Sequence, residues 1–322
     1  MFDPILLARA QARISEKKAA REARAARRHD EIHAAVPGIA AIEGQMRSGL
    51  LRAVRETFAS GEKGESAMEA CREHNLALRM KRSRMLTDHG YPADALDEAP
   101  DCLLCGDAGF TDGKPCFCLR QLYADMQLQS LDQRLDLLGQ SFETFDLPIF
   151  SAEEDPLERE SPRDRMKLLL EYCRKYTRRF GRDSANLLLR GGPGLGKTFL
   201  CACMAGEVAA GSHWVIYETA ANAVALMEAE KFARDGVSGE LAERLFACDL
   251  LLLDDLGAEF VTPFAQSALY QLLSARLSEH RPTIAATVLT EEELRRRYPP
   301  QMASRLESFE LLPLFGEDLR RK

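Results

Sequence analysis

The sequence predicts an α/β domain on a parallel sheet, preceded by a helical module that ends in a small cysteine knot. Three observations predict it. From about residue 140 onward, short apolar strand patterns alternate with helical ones. One strand-to-helix turn among them is the glycine-rich run GGPGLGKT, residues 191–198. The first hundred residues instead show apolar spacing of three and four, the period of helices. The division between the two parts is placed near 140, giving segments 1–140 and 141–322.

A basic helix is expected from Asp3 to Ala35, stopped by the breaker pair Pro37-Gly38. Ile39, Ile42, Met46, Leu50, Val54 and Phe58 then mark one face of a second helix. Gly61 and Gly64 interrupt it, and Ser66 is expected to cap a third helix reaching Thr87. The stretch CLLCGDAGFTDGKPCFC follows, holding four of the chain's nine cysteines, and a further helix is expected over Leu119–Leu138. After the acidic loop SAEEDPLERESP, Ser161-Pro162 reads as an N-cap and first-turn pair opening a helix to Arg179. NLLLR, WVIYET, DLLLLDD, TIAATV and FELL read as strands. TFLCACMAGEVAA, SGELAERLFAC and FAQSALYQLLSARLSEH read as the helices between them.

No apolar run reaches the length of a membrane span, which predicts a soluble, cytoplasmic chain with no membrane partner. The Arg- and Ala-rich start carries Glu16, Glu22, Asp30 and Glu31, acids that organelle transit peptides avoid. A net charge of -7 argues against a broad basic face for duplex DNA, though not against a local path for single strands.

GGPGLGKT matches the phosphate-loop pattern and lies between a strand and a helix, as that pattern requires. Gly191, Gly192, Pro193, Gly194, Leu195, Gly196, Lys197, Thr198 and Phe199 would form the cradle for the phosphates of ATP, with the backbone N–H groups of all but Pro193 and the helix N-terminus available to them. Lys197 would reach the β- and γ-phosphates, and the Thr198 hydroxyl would hold Mg2+. Asp254, ending the apolar strand LLLLD, would share that Mg2+, and Asp255 would polarise an attacking water.

LLLLDDLGAE, the upstream SFETFDL, and the short chain after the last strand resemble the DnaC/DnaI family of bacterial helicase loaders. That family belongs to the AAA+ ATPases together with IstB, and the resemblance extends over nearly the whole chain. It implies an AAA+ fold with a minimal lid, ATP hydrolysis, and loading of a DnaB-type replicative helicase onto single-stranded DNA. It also implies an N-terminal module that binds the helicase, and self-association on ATP binding. Arg305 in ASRL matches the arginine finger aimed at a neighbouring subunit's γ-phosphate, and Arg320 in GEDLR matches the sensor-2 arginine on its own nucleotide. Phe145 and Asp146 would lie beside the base.

Two positions depart from the family. The strand TIAATV carries Val288 where an Asn usually orients the attacking water, and Gln301 replaces an arginine four residues before the finger. Valine cannot hydrogen-bond a water, so slow hydrolysis is expected. Cys102, Cys105, Cys116 and Cys118 suit tetrahedral Zn2+ in a structural site. His74 or His89 in place of one thiolate, an iron–sulfur cluster and a redox pair stay open. Two rivals to a loader also remain: an IstB-like transposition helper on duplex DNA, and an adaptor that binds ATP with little hydrolysis.

Overall fold

The computed structural model describes residues 2–59, 61–135, 140–232 and 239–321. The chain divides into two compact units, Ala12–Cys116 on one side and Met1–Gln11 with Phe117–Lys322 on the other.

Helix α1 (Pro4–Ala35) turns at Gly38, φ 86°, a left-handed position that suits glycine, into α2 (Ile39–Ala59), and α3 (Gly61–Asp88) packs along α2. Ile32, Val36, Ile39 and Leu86 close that end as a small core. α3 starts at Gly61, before the expected cap at Ser66, and Gly64 does not break it. A single glycine costs a helix only about 1 kcal/mol, which packing along α2 can offset. The cysteine segment then forms a hairpin of β1 (Phe110–Thr111) and β2 (Lys114–Pro115). Its turn residues Asp112 and Gly113 have φ 51° and 74°, the paired positive values that a tight type I′ turn needs.

In the other unit come α4 (Phe117–Leu135), α5 (Pro162–Arg178), β3 (Leu187–Arg190), α6 (Lys197–Ala210), β4 (Val215–Thr219) and α7 (Ala220–Phe232). They continue as α8 (Gly239–Ala247), β5 (Leu250–Asp254), α9 (Pro263–Ser278), β6 (Thr283–Thr287), α10 (Glu291–Arg297), α11 (Pro300–Glu307) and β7 (Glu310–Pro313). Ser161 caps α5 as expected, its hydroxyl accepting from Asp164 N at 3.0 Å. The end of the helix expected to Leu138, and Ser238 of the expected SGELAERLFAC helix, lie outside the described residues. Helices α7, α10 and α11 were not among the expected elements.

The five strands β3–β7 form one parallel sheet in the order β4-β5-β6-β3-β7. Side chains alternate between its faces. Leu187, Leu189, Leu250, Leu252, Ile284 and Ala286 join one core, and Leu188, Leu251, Leu253 and Ala285 join the other. Burial on both faces explains why these strands read as unbroken apolar runs. The order leaves the carboxyl ends of β3, β6 and β5 side by side, with Arg190 opposite Thr287 in register. Ligands of open α/β sheets bind at such edges.

One buried charge holds part of this unit together. Arg276 of α9 is 1% exposed. It donates to Leu245 O at 2.8 Å and Cys248 O at 3.1 Å, carbonyls that the end of α8 leaves without helical partners. It also donates to Pro282 O at 2.7 Å and Thr283 Oγ1 at 2.9 Å, at the start of β6. Arg276→Met keeps most of the volume but strands several buried acceptors. It should lower the unfolding free energy by about 3 kcal/mol or more in a urea titration. A loss under about 1 kcal/mol would mean that water replaces the guanidinium.

Candidate functional site

The glycine-rich loop is clamped between the ends of two strands. Gly191 N donates to Thr287 O of β6 at 3.2 Å, and Leu314 N, just past β7, donates to Arg190 O at 2.7 Å. A side chain at Gly191 would lie 2.2 Å from Leu314 O, so the clamp itself demands glycine there. Gly194, φ 70°, is packed against the chain's last segment, where an added Cβ would sit 1.7 Å from Asp318 Oδ1. Leu319 N donates to Gly194 O at 3.2 Å. Gly196, φ 85°, hands the loop to α6, which begins at Lys197 and points its unpaired N–H groups into the loop.

Lys197 is nearly buried and folds over the loop, its Nζ donating to Gly191 O at 2.8 Å and Gly192 O at 2.7 Å. Burial pulls its ammonium below the ordinary lysine range, against the opposing pull of Asp254 and Asp255. Next to it, Thr198 Oγ1 donates to Asp254 Oδ2 at 2.8 Å. Tyr217 OH of β4 donates to the same oxygen at 2.8 Å, and Asp255 N donates to Asp254 Oδ1 at 2.8 Å. Asp254 is thus 2% exposed, with both of its carboxyl oxygens hydrogen-bonded. Asp255 stands exposed in a left-handed conformation, φ 51°, uncommon for a residue with a side chain. Desolvation first, and the neighbouring Asp254 second, push its carboxyl above the usual range.

Arg320 joins this group. Its positive charge acts on both Lys197 and Asp255, from a short 3-10 turn over Leu319–Arg321. Arg305 stands exposed on α11, one helical turn from the exposed Gln301. Val288, 47% exposed, follows directly after β6. Thr287 is buried and committed elsewhere, its Oγ1 donating to Leu256 O at 2.6 Å. Phe145 stacks on Phe150 and meets Phe199 edge-on, with centroids 5.7 and 5.2 Å away.

Tyr217, Asp318 and Glu259 were not read from the sequence. Glu259 is buried and accepts from Gly257 N at 2.9 Å and from the Tyr298 hydroxyl. Arg297 donates to the Glu259 carbonyl. That ties the loop after the acid pair to the chain entering α11.

The chemistry of these groups fits Mg2+ and ATP. A deeply buried carboxylate faces a threonine hydroxyl at the mouth of a helix N-terminus, beside a lysine and an arginine.

The second cluster is local to residues 102–118. The sulfurs of Cys102, Cys105, Cys116 and Cys118 all lie within 4.8 Å of one another. Cys102 and Cys116 are 3.8 Å apart. A disulfide needs about 2.05 Å, whereas sulfurs about 2.3 Å from a tetrahedral centre are about 3.8 Å apart. Gly109 N donates to Cys105 Sγ at 3.4 Å, the polarity a thiolate accepts. Asp107 braces the first turn, accepting from Cys102 N at 2.8 Å and Asp101 N at 3.1 Å. The Arg21 guanidinium bonded to it holds its carboxyl below the usual range. Asp107 therefore organises the knuckle. The donor set fits Zn2+, which would join the two turns when bound.

A phosphate loop, an acid pair at a strand end and this strand order define an AAA+-like ATP-binding domain behind a helical, four-cysteine region. Residues 174–300 match the family described as IstB-like ATP binding protein. The chain is 29% identical over 126 residues to the replicative helicase loader DnaC of Escherichia coli strain K12, covering 39% of this chain and 51% of that protein. It therefore spans about half the length of the curated relatives it matches. Among solved structures, a DnaI has 20% identity and a TM-score of 0.44, covering 57% of this chain and 93% of that one. A DnaC helicase loader has 16% identity and a TM-score of 0.45, covering 56% and 99%. The chain carries an IstB-like ATP-binding domain with distant homology to helicase loaders.

The raised Asp255 carboxyl has a thermodynamic consequence. A carboxylate whose folded pKa lies above its unfolded value costs stability at every pH above both, and the cost disappears as pH falls below the ordinary range. In nucleotide-free protein at pH 7, Asp255→Asn should therefore raise the melting temperature. An unchanged or lower value in differential scanning fluorimetry would show that the carboxylate is comfortably solvated.

Proposed function

We propose that the chain is an ATPase that loads a DnaB-type replicative helicase onto single-stranded DNA. In this reading residues 1–140 face the helicase and residues 141–322 form the motor. The observation that carries the motor is the Thr198–Asp254 contact beside Lys197, inside the span that matches the IstB-like family. The helicase half rests on the similarity to DnaC.

On ATP binding Lys197 would leave the loop carbonyls for the β- and γ-phosphates, and Thr198 and Asp254 would hold Mg2+. When bound, Mg2+ neutralises charge on the phosphate oxygens. Asp255 accepts the proton of an attacking water, its raised pKa making it a better base than an ordinary aspartate. Arg320 steadies the nucleotide on its own chain. Arg305, exposed as a group offered to a neighbour must be, completes the site of an adjoining copy, so that ATP favours self-association. Cys102, Cys105, Cys116 and Cys118 would hold a Zn2+ that joins the two turns of the helicase-facing module, where Leu103 and Leu104 are 82% and 73% exposed. Exposed neighbouring leucines suit a protein partner.

The test uses the full chain, a replicative helicase and a closed single-stranded circle. ATP-dependent transfer of the helicase onto the circle, lost on zinc chelation, is the expected result. ATPase stimulation by duplex DNA without helicase binding would instead favour a transposition helper. Val288 supplies a second expectation. Restoring a water-orienting amide with Val288→Asn should raise turnover by roughly 3–10-fold, the worth of one hydrogen bond. Unchanged turnover would remove Val288 as the reason for slow hydrolysis.

A further inference from the structure

The helical unit holds a second cluster of metal-ligating side chains, and neither the cysteine knot nor the nucleotide site uses it. His29 and His33 lie one turn apart on α1, and Glu43 faces them from α2. His29 Nε2 is 3.0 Å and His33 Nε2 is 2.8 Å from one and the same atom, Glu43 Oε2. The two imidazole centroids are 3.8 Å apart with planes tilted by 31°, so both rings aim their outer nitrogens at one point. The three ligand atoms lie within 4.8 Å of one another.

We infer that His29, His33 and Glu43 form a binding site for a first-row divalent metal ion, Zn2+ or a close analogue, separate from the cysteine cluster. Two imidazoles spaced i, i+4 on one helix with a carboxylate from the facing helix are a donor set for such ions. Two nitrogens and one oxygen favour Zn2+, Co2+ or Ni2+ over Mg2+ or Ca2+, which prefer oxygen alone. Three protein ligands also leave a fourth position open, as in exchangeable rather than closed sites.

A carboxylate also stands behind the pair, with Asp30 Oδ1 3.8 Å from His29 Nδ1. The cavity beside His29 is lined by Glu22, Asp30, Asp97, Glu98 and Arg28, and Lys18 lies 4.0 Å from Glu22 and Arg21 3.6 Å from Glu98. Arg82 sits 3.7 Å from Glu43 Oε1, but its guanidinium is already bonded to Asp97. Glu43 Oε1 is thereby tethered while Oε2 is turned to the histidines. His33 and Glu43 side chains are 24% and 16% exposed and His29 is 43% exposed, which leaves an entry path on the His29 side. A metal here would cross-link α1 to α2 next to the Gly38 turn, in place of hydrogen bonds that share one oxygen.

The test measures bound zinc in untagged full-length protein after dialysis against micromolar Zn2+. It compares wild type, His33→Ala, Glu43→Gln and Cys102→Ser/Cys105→Ser. His33→Ala and Glu43→Gln should each hold one zinc fewer than wild type while keeping wild-type helicity and ATP binding. Their affinity for that zinc should fall by more than the roughly 10–100-fold typical of losing an outer-shell partner. The cysteine variant should keep the histidine-bound zinc. A failure of zinc at the cysteines therefore lowers the wild-type count without touching this result. Equal zinc in wild type, His33→Ala and Glu43→Gln would overturn the inference and leave the cluster as a hydrogen-bonded helix contact. Co2+ supplies a second readout. Thiolate-to-cobalt absorption reports the cysteines alone, so titrating Co2+ into the cysteine variant should still give visible d–d bands, and their absence would also overturn the site.

Discussion

Asp254 sits at the end of a strand buried on both faces, nearly sealed from water, and a threonine, a tyrosine and a backbone amide all donate to it. Its place follows from the sheet. β5 delivers it, β4 delivers Tyr217, and β6 separates it from the strand that ends in the glycine loop. A polar group this deep is costly unless it is hydrogen-bonded, and both of its oxygens are. The hydrogen bonds therefore fix the carboxyl group in one orientation, where a divalent cation and a triphosphate would meet. Lys197 is the counterweight on the other side of the loop, and its own burial shows that the loop is closed around it.

The glycines of the loop answer to the same constraint. Gly191 touches the carbonyl of Leu314 and Gly194 touches Asp318, so the chain following β7 is the wall against which the loop is moulded. Arg320 belongs to that wall. Glu259 does the equivalent service at the far end, joining the loop after Asp255 to Tyr298 and so to the helix that carries Arg305. The loop that follows the acid pair and the helix that carries Arg305 are thus joined through one buried acid.

Much of this was legible in the sequence, for local reasons. A phosphate loop is a contiguous backbone shape, and buried parallel strands are contiguous apolar runs, so both leave continuous marks. Ser161 announced α5 by the same logic. What stayed hidden depends on contacts between distant residues. Tyr217 looks like any strand tyrosine until β4 is paired with β5, and Arg276 looks like a surface arginine until α8 ends beneath it. Helix α10 did carry a local signal, the reciprocal bonds of Thr290 and Glu293 in a capping box, obscured by the run of charges that follows. The Pro299-Pro300 pair masked the start of α11. The pair His29 and His33 has helical metal-site spacing in the sequence, but Glu43 becomes its third member only through the turn at Gly38.

In the proposed nucleotide site, Thr198 and Asp254 would together make the magnesium seat. ATP affinity with and without Mg2+, measured by calorimetry for the wild type and Thr198→Val, tests it most directly. Valine keeps the shape of threonine and removes only the hydroxyl. The wild type should bind ATP more tightly with Mg2+, and Thr198→Val should lose this gain while its magnesium-free affinity stays close to wild type. A Thr198→Val protein that keeps the full magnesium-dependent gain would contradict it.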